Sequence, residues 1–165
     1  MQTFITHKPI PELLDPFIHT ARSLDYRRLG KQRVECKQIM FALGVEDPEE
    51  RGRGWVNHPA TKMWRGYEDT LRVYAIDICK EWIRRGYKDT LLSWFEDQKL
   101  RVEYLAAKRR GSLGNTMTVP DWLQGQAGDA FVDAHRSNLI RKDPDYYGPK
   151  FPGVPDHLEY IWPVK

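Results

Sequence analysis

The sequence predicts an all-α fold, a single compact helical domain over residues 1–165 with three to four main helices, an extended N-terminal arm and an irregular aromatic C-terminal tail. Three observations predict it. Apolar residues recur at 3.6-residue spacing in long stretches, no segment alternates with period two for long enough to make a strand, and Gly or Pro stands where each stretch stops. At 165 residues, 41% of them hydrophobic, the chain is long enough to bury a core without disulfides or a metal.

The elements follow in order. Prolines at 9, 11 and 16 make residues 1–20 an extended arm with a short turn. A first helix starts near Ser23 or Asp25 and ends at Gly44, with Leu29, Cys36, Ile39, Met40 and Leu43 on one face. The acidic, Gly-containing run 45–54 is a surface loop. Asn57-His58-Pro59 then opens a long central helix, because Asn caps well and Pro is tolerated in a first turn. Its apolar face runs through Ala60, Met63 or Trp64, Tyr67, Leu71, Tyr74, Ile78 and Trp82 to Arg84-Arg85 and closes at Gly86. A third helix spans 90–110, its terminal Lys108-Arg109-Arg110 matching the negative end of the helix dipole. A loop over 111–128 leads to a fourth helix over 129–142, which Asp143-Pro144 stops.

Composition narrows the function. The two cysteines, at apolar helical positions far apart in sequence, read as free buried thiols of a reducing compartment. No signal-peptide core and no apolar run of about 20 residues is present, which points to the cytoplasm, or to a place around a nucleoid or phage genome, and to no membrane partner. His7, His19, His58, His135 and His157 have no paired ligand spacing, so neither a metal nor another cofactor is expected. His58 and His135 read instead as capping or surface residues. A nucleophile elbow and a phosphate-cradling glycine loop are both lacking, which removes the commonest hydrolase and nucleotide-binding readings.

What remains is cationic surface placed rather than spread. Between residues 21 and 38, Arg22, Arg27, Arg28, Lys31, Arg33 and Lys37 face only Asp25 and Glu35, so that segment carries +4 where the whole chain carries +3. This is the electrostatic footprint of nucleic-acid binding, although a solvated helix face accounts for it equally well. Arg27, Arg28, Lys31 and Gln32 form one polar cluster. His58, Lys62 and Arg65 form a second, and His135, Arg136, Ser137, Asn138, Arg141 and Lys142, followed by Tyr146-Tyr147-Gly148, form a third. Arg makes bidentate phosphate contacts, Asn and Gln can read base edges, and exposed aromatics stack on bases.

Three blocks in this order carry a family resemblance: Tyr26-Arg27-x-Leu29, the run from His58 through Leu71 to Cys79-x-x-x-Ile83-x-Arg85-Gly86, and Asn138-Leu139 with Tyr146-Tyr147-Gly148. The chain resembles the phage pyrimidine-dimer DNA glycosylase and AP lyase family, the endonuclease V type, and its longer relatives in bacteria and phages. The resemblance implies an all-helical enzyme in which an N-terminal α-amine attacks C1′ of a damaged nucleotide, forms an imine and cleaves the strand by β-elimination. An α-amine, with a reference pKa of about 7.7 to 8.0, is partly neutral and nucleophilic at physiological pH. A carboxylate stabilises the cationic intermediate while Arg residues hold a kinked duplex and an extruded base.

Two positions depart from the family pattern. Gln2 is bulky enough to leave Met1 in place, where the phage enzyme presents a small residue after Met removal. Arg28 occupies the position of the family's glutamate, directly after Tyr26-Arg27, and a cation cannot take over a carboxylate's role. Either Glu35 or Asp25 has replaced it, with Glu35 slightly favoured and an Arg28 to Glu35 ion pair the plainer alternative, or the chemistry differs. The expected catalytic set is therefore Met1, Glu35, Asp25 and, as a second amine, Lys31. A lysine must lose several pKa units through desolvation or neighbouring cations before it is neutral at pH 7.

The expected DNA-binding set is Arg27, Arg28, Lys31, Gln32, His58, Lys62, Arg65, Asn138, Arg141, Tyr146 and Tyr147. The partner is double-stranded DNA, damaged or modified, and the chain reads as a monomer. The alternative is a catalytically altered DNA-binding module on the same fold.

Overall fold

The computed structural model describes residues 1–46, 53–111 and 117–164, and among them it contains helices and turns but no strand. The helices are α1 (Ile18–Ser23), α2 (Tyr26–Leu43), α3 (Pro59–Trp64), α4 (Glu68–Arg84), α5 (Leu92–Asp97), α6 (Lys99–Arg110), α7 (Gly125–Lys142) and α8 (Pro144–Tyr147). Helix α4 is the hub, packing against α1, α2, α5 and α6. Leu29, Cys36, Ile39 and Met40 of α2 meet Leu71, Tyr74, Ala75 and Ile78 of α4 in a core that continues through Phe131 and Leu139 of α7. Both cysteines are buried and unpaired, and burial pushes the Cys79 thiol up to about 12. No helix among the described residues is long and apolar enough to cross a membrane.

Sequence signals set α2 closely. Asp25 caps it by accepting from the backbone N–H groups of Arg27 and Arg28, and Gly44 ends it in the left-handed conformation at φ 86°. The long central helix is instead two. It breaks after Trp64, where Arg65 turns extended and Gly66 takes φ +89°. The apolar spacing carries through the break because Trp64, Tyr67 and Leu71 lie three and four residues apart on either side of it. Ion pairs fix the new start: Glu68 and Asp69 in the first turn of α4 meet Arg109 and Arg110 of α6. The cap of α3 is His58 rather than Asn57, its ring Nδ1 accepting from the N–H of Ala60 at 3.1 Å.

Three other boundaries move. The expected third helix divides at Gln98 into α5 and α6, and its start moves from 90 to Leu92, just after a turn in which the Asp89 carboxylate accepts from the N–H groups of Leu91 and Leu92. The last helix begins four residues before 129, at Gly125, leaving a short helical turn Asp121–Leu123 within what reads as loop. Parts of the expected loops, 47–52 and 112–116, lie outside the described residues.

The N-terminal arm differs most. Its last residues form α1, and residues 3–6 are a buried thread through the middle of the fold rather than a peripheral arm. An extended segment with no neighbouring strand must find partners for its backbone groups elsewhere. Here side chains supply them: the Phe4 N–H donates to Gln32 Oε1 at 2.8 Å, the Ile5 N–H to His135 Nδ1 at 2.9 Å and the Thr6 N–H to Thr20 Oγ1 at 3.2 Å. The Trp64 indole donates to Thr3 Oγ1, and the Tyr74 hydroxyl sits 2.8 Å from both the Phe4 carbonyl and Gln32 Oε1. His135 is thus a core residue and not a surface one; burial holds it neutral, its pKa lowered to about 3.

Candidate active site and nucleic-acid interface

The buried thread delivers Met1 to the wall of a cavity of about 980 Å³ that is also lined by Asp25, Arg27, Arg28, Lys31, Gln32 and Glu35 of the α2 segment. Residues far apart in the chain complete it: Arg85 and Tyr87 just after α4, Lys142 and Asp143 at the end of α7, and Tyr146 of α8. Four of the expected catalytic residues, Met1, Asp25, Lys31 and Glu35, therefore share one cavity. Their positions within it are not equivalent.

Glu35 is held against the first residues of the chain. Its Oε2 accepts from the Gln2 backbone N–H at 3.3 Å and from Gln32 Nε2 at 3.1 Å, and the same Gln32 amide donates to the Gln2 carbonyl at 3.0 Å. Lys31 approaches the other oxygen at 3.6 Å, but its side chain is 73% exposed where that of Glu35 is 8% exposed. A desolvated carboxylate beside a solvated ammonium feels the pair weakly screened on one side only. Burial first, and the positive α-amine second, hold the His58 imidazole below its ordinary range. Trp162 from the C-terminal tail stands edge-on to the same imidazole, 5.9 Å between centroids.

Asp25 is committed differently. It accepts from two backbone N–H groups of α2, from Arg28 Nη1 at 2.7 Å and from the Tyr147 hydroxyl, while its own N–H donates to that hydroxyl at 3.0 Å. Burial alone would raise its pKa, but the hydrogen bonds from Tyr147 and Arg28 outweigh burial and hold the carboxyl below the usual range. The expected Arg28 to Glu35 ion pair does not form, because Asp25, one turn away, takes Arg28. The Arg28 guanidinium also lies over the Tyr147 ring, 5.5 Å from its centroid.

The DNA-binding set divides in the same way. Arg27 and Lys31 are exposed at the cavity, and Tyr146 is half-buried beside it with Lys150 over its ring. Gln32 is fully buried and pins the N-terminal thread, so its amide is occupied. Tyr147 is fully buried, which leaves it no surface to offer a strand. Arg141 clamps the tail by donating to the carbonyls of Asp156 and Leu158, and Ser137 accepts from the Leu158 N–H. Arg136 holds the Thr6 carbonyl at 2.7 Å. Asn138 is half-buried and its Oδ1 has no hydrogen-bond partner. The third cluster is thus largely scaffolding that reaches the cavity at Lys142 and Tyr146.

The second cluster lies around the cap of α3. His58 and Lys62 are half-buried there, and exposed Arg65 donates to the Val56 carbonyl at 3.3 Å. Tyr26, Arg85, Tyr87 and Lys142 are cavity residues that spacing alone does not single out as one site. Tyr26 and Arg85 stand inside the quoted motif blocks; Tyr87 has no signal beyond following Gly86. Among the described residues, no group of three or more His, Cys, Asp or Glu side chains is arranged to hold a metal ion.

The helical frame threads its own N-terminus to a cavity lined mainly by cationic side chains, with the buried carboxylate of Glu35 beside the first residues. The profile of the family described as pyrimidine dimer DNA glycosylase matches residues 1–94, more than half of the chain and the part that contributes the thread, α2 and α4. The chain belongs to the pyrimidine dimer DNA glycosylase family, and a function of the DNA glycosylase kind follows in general terms from that membership. No curated protein and no solved structure matches the chain.

Proposed function

We propose that this protein is a DNA glycosylase with strand-cleaving lyase activity toward damaged or modified pyrimidines, in which the α-amine of Met1 is the nucleophile and Glu35 the partner carboxylate. The observation that carries the reading is the Gln2 N–H to Glu35 contact at 3.3 Å, which ties the residue after the amine to the only cavity acid with no part in capping α2 or holding α8. The amine lone pair attacks C1′, the bond from C1′ to the base breaks, and the departing base takes up a proton. The attached nitrogen loses one proton, its lone pair then breaks the bond from C1′ to O4′, which takes up a proton, and the resulting C1′ iminium acidifies the protons on C2′. Removal of a C2′ proton then expels the 3′ phosphate oxygen and cuts the strand. In this reading Glu35 stabilises the iminium cation and accepts that proton.

Arg27, Lys31 and Lys142 supply phosphate contacts around the mouth, and the 165 residues act as one unit in which the tail backs His58. Lys31, solvated and paired with Glu35, is the weaker amine candidate. Borohydride reduction on DNA containing an abasic site, followed by mass mapping of the adduct, tests the reading. An adduct on Met1 is expected. An adduct on a lysine overturns the choice of nucleophile, and DNA binding with no adduct leaves a binding module in place of an enzyme.

A further inference from the structure

Two buried polar groups make no hydrogen bond among the described residues: the side-chain amide Nε2 of Gln2, next to the amine, and the hydroxyl of Tyr160 in the C-terminal tail. An unpaired buried group weakens a fold, so one that persists needs a reason. Gln2 sharpens the point because its main chain is fully engaged. Its N–H donates to Glu35 at 3.3 Å and its carbonyl accepts from Gln32 at 3.0 Å, while the amide stays free.

Tyr160 lies beyond residues 1–94, the part of the chain that the family profile matches. Its tail is fixed to α7, where Arg141 holds the Asp156 and Leu158 carbonyls and Ser137 takes the Leu158 N–H. The Tyr160 ring packs 5.3 Å from His135, which holds the Ile5 N–H, and 5.1 Å from Trp162, which reaches His58 at the cap of α3. Helix α3 in turn grips the thread through the Trp64 indole and Thr3. The tail is therefore tied to both elements that hold the first residues of the chain. Burial first, and the negative charge of Glu35 second, push the Tyr160 hydroxyl above its ordinary range, so it stays protonated. A neutral phenol oxygen accepts as well as donates and an amide nitrogen donates, so the two unpaired groups are complementary.

We propose that Tyr160 is a positioning residue for the N-terminal amine, its hydroxyl accepting from Gln2 Nε2 when the first two residues advance from their resting place toward a sugar. The proposal rests on the reading of Met1 as the nucleophile. A chain start that moves toward C1′ gives up the long Gln2 N–H contact to Glu35, and a new bond from Gln2 to Tyr160 offsets that loss. Glu35 then meets the forming iminium with one donor fewer. An interaction absent at rest and made on the way to the transition state raises the rate, whereas one present throughout does not.

The test is a double-mutant cycle of Gln2→Met, Tyr160→Phe and the double variant, read by single-turnover cleavage at an abasic site, duplex affinity and thermal melts. Each single substitution removes a group that is unpaired at rest, so each chain is expected to melt no lower than the wild type and to bind the duplex as tightly. Each is expected to cleave about tenfold more slowly, the worth of one hydrogen bond made only in the advanced state. The double variant should lose no more than either single one, because the second substitution removes a partner already gone. Unchanged rates in the single variants, or losses that multiply in the double variant, overturn the pairing. If Tyr160→Phe does not fold, Gln2→Met decides alone: a tenfold slower rate at unchanged affinity supports the pairing and an unchanged rate rejects it. The two proposals fail separately, since a borohydride adduct on Met1 with full-rate variants removes only the Tyr160 pairing, and an adduct on a lysine removes the Met1 reading itself.

Discussion

Asp25 and Glu35 lie about three turns apart along α2, both buried, both facing one cavity and both beside a basic side chain, yet their remaining contacts separate them. Asp25 is saturated by the frame: two helix N–H groups, Arg28 and the Tyr147 hydroxyl leave it no free lone pair directed at a ligand. Glu35 meets only Gln32, the Gln2 N–H and an exposed lysine at 3.6 Å. A carboxylate that caps a helix and ties down a second element holds structure. One that is buried beside a chain terminus, with a solvent-exposed counter-ion, can interact with a cation that forms during a reaction. The base at Arg28 fits this division, since it pairs with Asp25 and completes the frame, while Glu35 contacts the Gln2 N–H beside the chain start.

The largest expected effect separates the two acids by activity. Glu35→Gln keeps the shape and a hydrogen-bonding oxygen, so stability should hold while the rate of strand cleavage at an abasic site falls about 100-fold or more, the range for removing one preorganised electrostatic partner. Single-turnover cleavage with a parallel thermal melt reads both quantities. A folded Asp25→Asn chain that loses as much activity as Glu35→Gln would break the comparison.

The converse effect appears in stability. Asp25→Ala removes a helix cap, strands Arg28 and unpairs the Tyr147 hydroxyl, and should cost about 2 to 4 kcal/mol in urea unfolding. Because the Asp25 carboxyl lies below its ordinary value in the folded state, the unfolded chain binds more protons in the acid range. Its contribution is present above the unfolded pKa and is lost as pH falls below about 4, so the gap between wild type and Asp25→Ala should narrow there. A gap that stays constant from pH 6 to pH 3 would show that the loss is packing and not charge.

Those variants also mark what local spacing could reveal. The limits of α2, its Asp25 cap and its Gly44 stop are readable because capping and left-handed turns depend on adjacent residues. The break at Gly66 is not, since a kink that preserves a three-four apolar rhythm looks like a continuous helix. The run from His135 to Arg141 reads as polar surface, but its groups face inward to the backbone of the N-terminal thread and of the tail, segments with no strand to pair with. Met1 and Glu35 could be named as candidates separately; their proximity comes from three side chains, Gln32, Tyr74 and His135, that replace a sheet ladder. Tyr147 is the plainest reversal, an aromatic in a Gly- and Pro-rich tail that four residues of helix carry into the core.

Tyr147→Phe isolates one strand of the Asp25 network. The ring volume stays, so the expected loss is that of a single buried hydrogen bond to a carboxylate, about 1.5 kcal/mol, and the affinity for DNA should not change. Loss of preference for damaged over intact duplex in a fully folded Tyr147→Phe chain would return this residue to the interface.

The smallest expected effect tests the exposed side of α2, where Arg27 and Lys31 project beside the two acids without being buried by either. If both meet phosphates, each releases condensed counterions on binding, and the slope of log affinity against log salt should flatten by about 0.9 for Arg27→Ala, and by about the same for Lys31→Ala. At low salt the variants bind more weakly to damaged and intact duplex alike, because a phosphate contact carries no sequence or lesion information. Lys31 adds a second consequence, since its removal strips Glu35 of its counter-ion. Lys31→Ala should therefore alter the pH dependence of cleavage where Arg27→Ala leaves that dependence unchanged. If both variants flatten the salt slope and neither changes the pH profile, the Lys31 to Glu35 contact is incidental to catalysis; an unchanged slope in both would move the phosphate path away from these two side chains toward Lys142 at the end of α7.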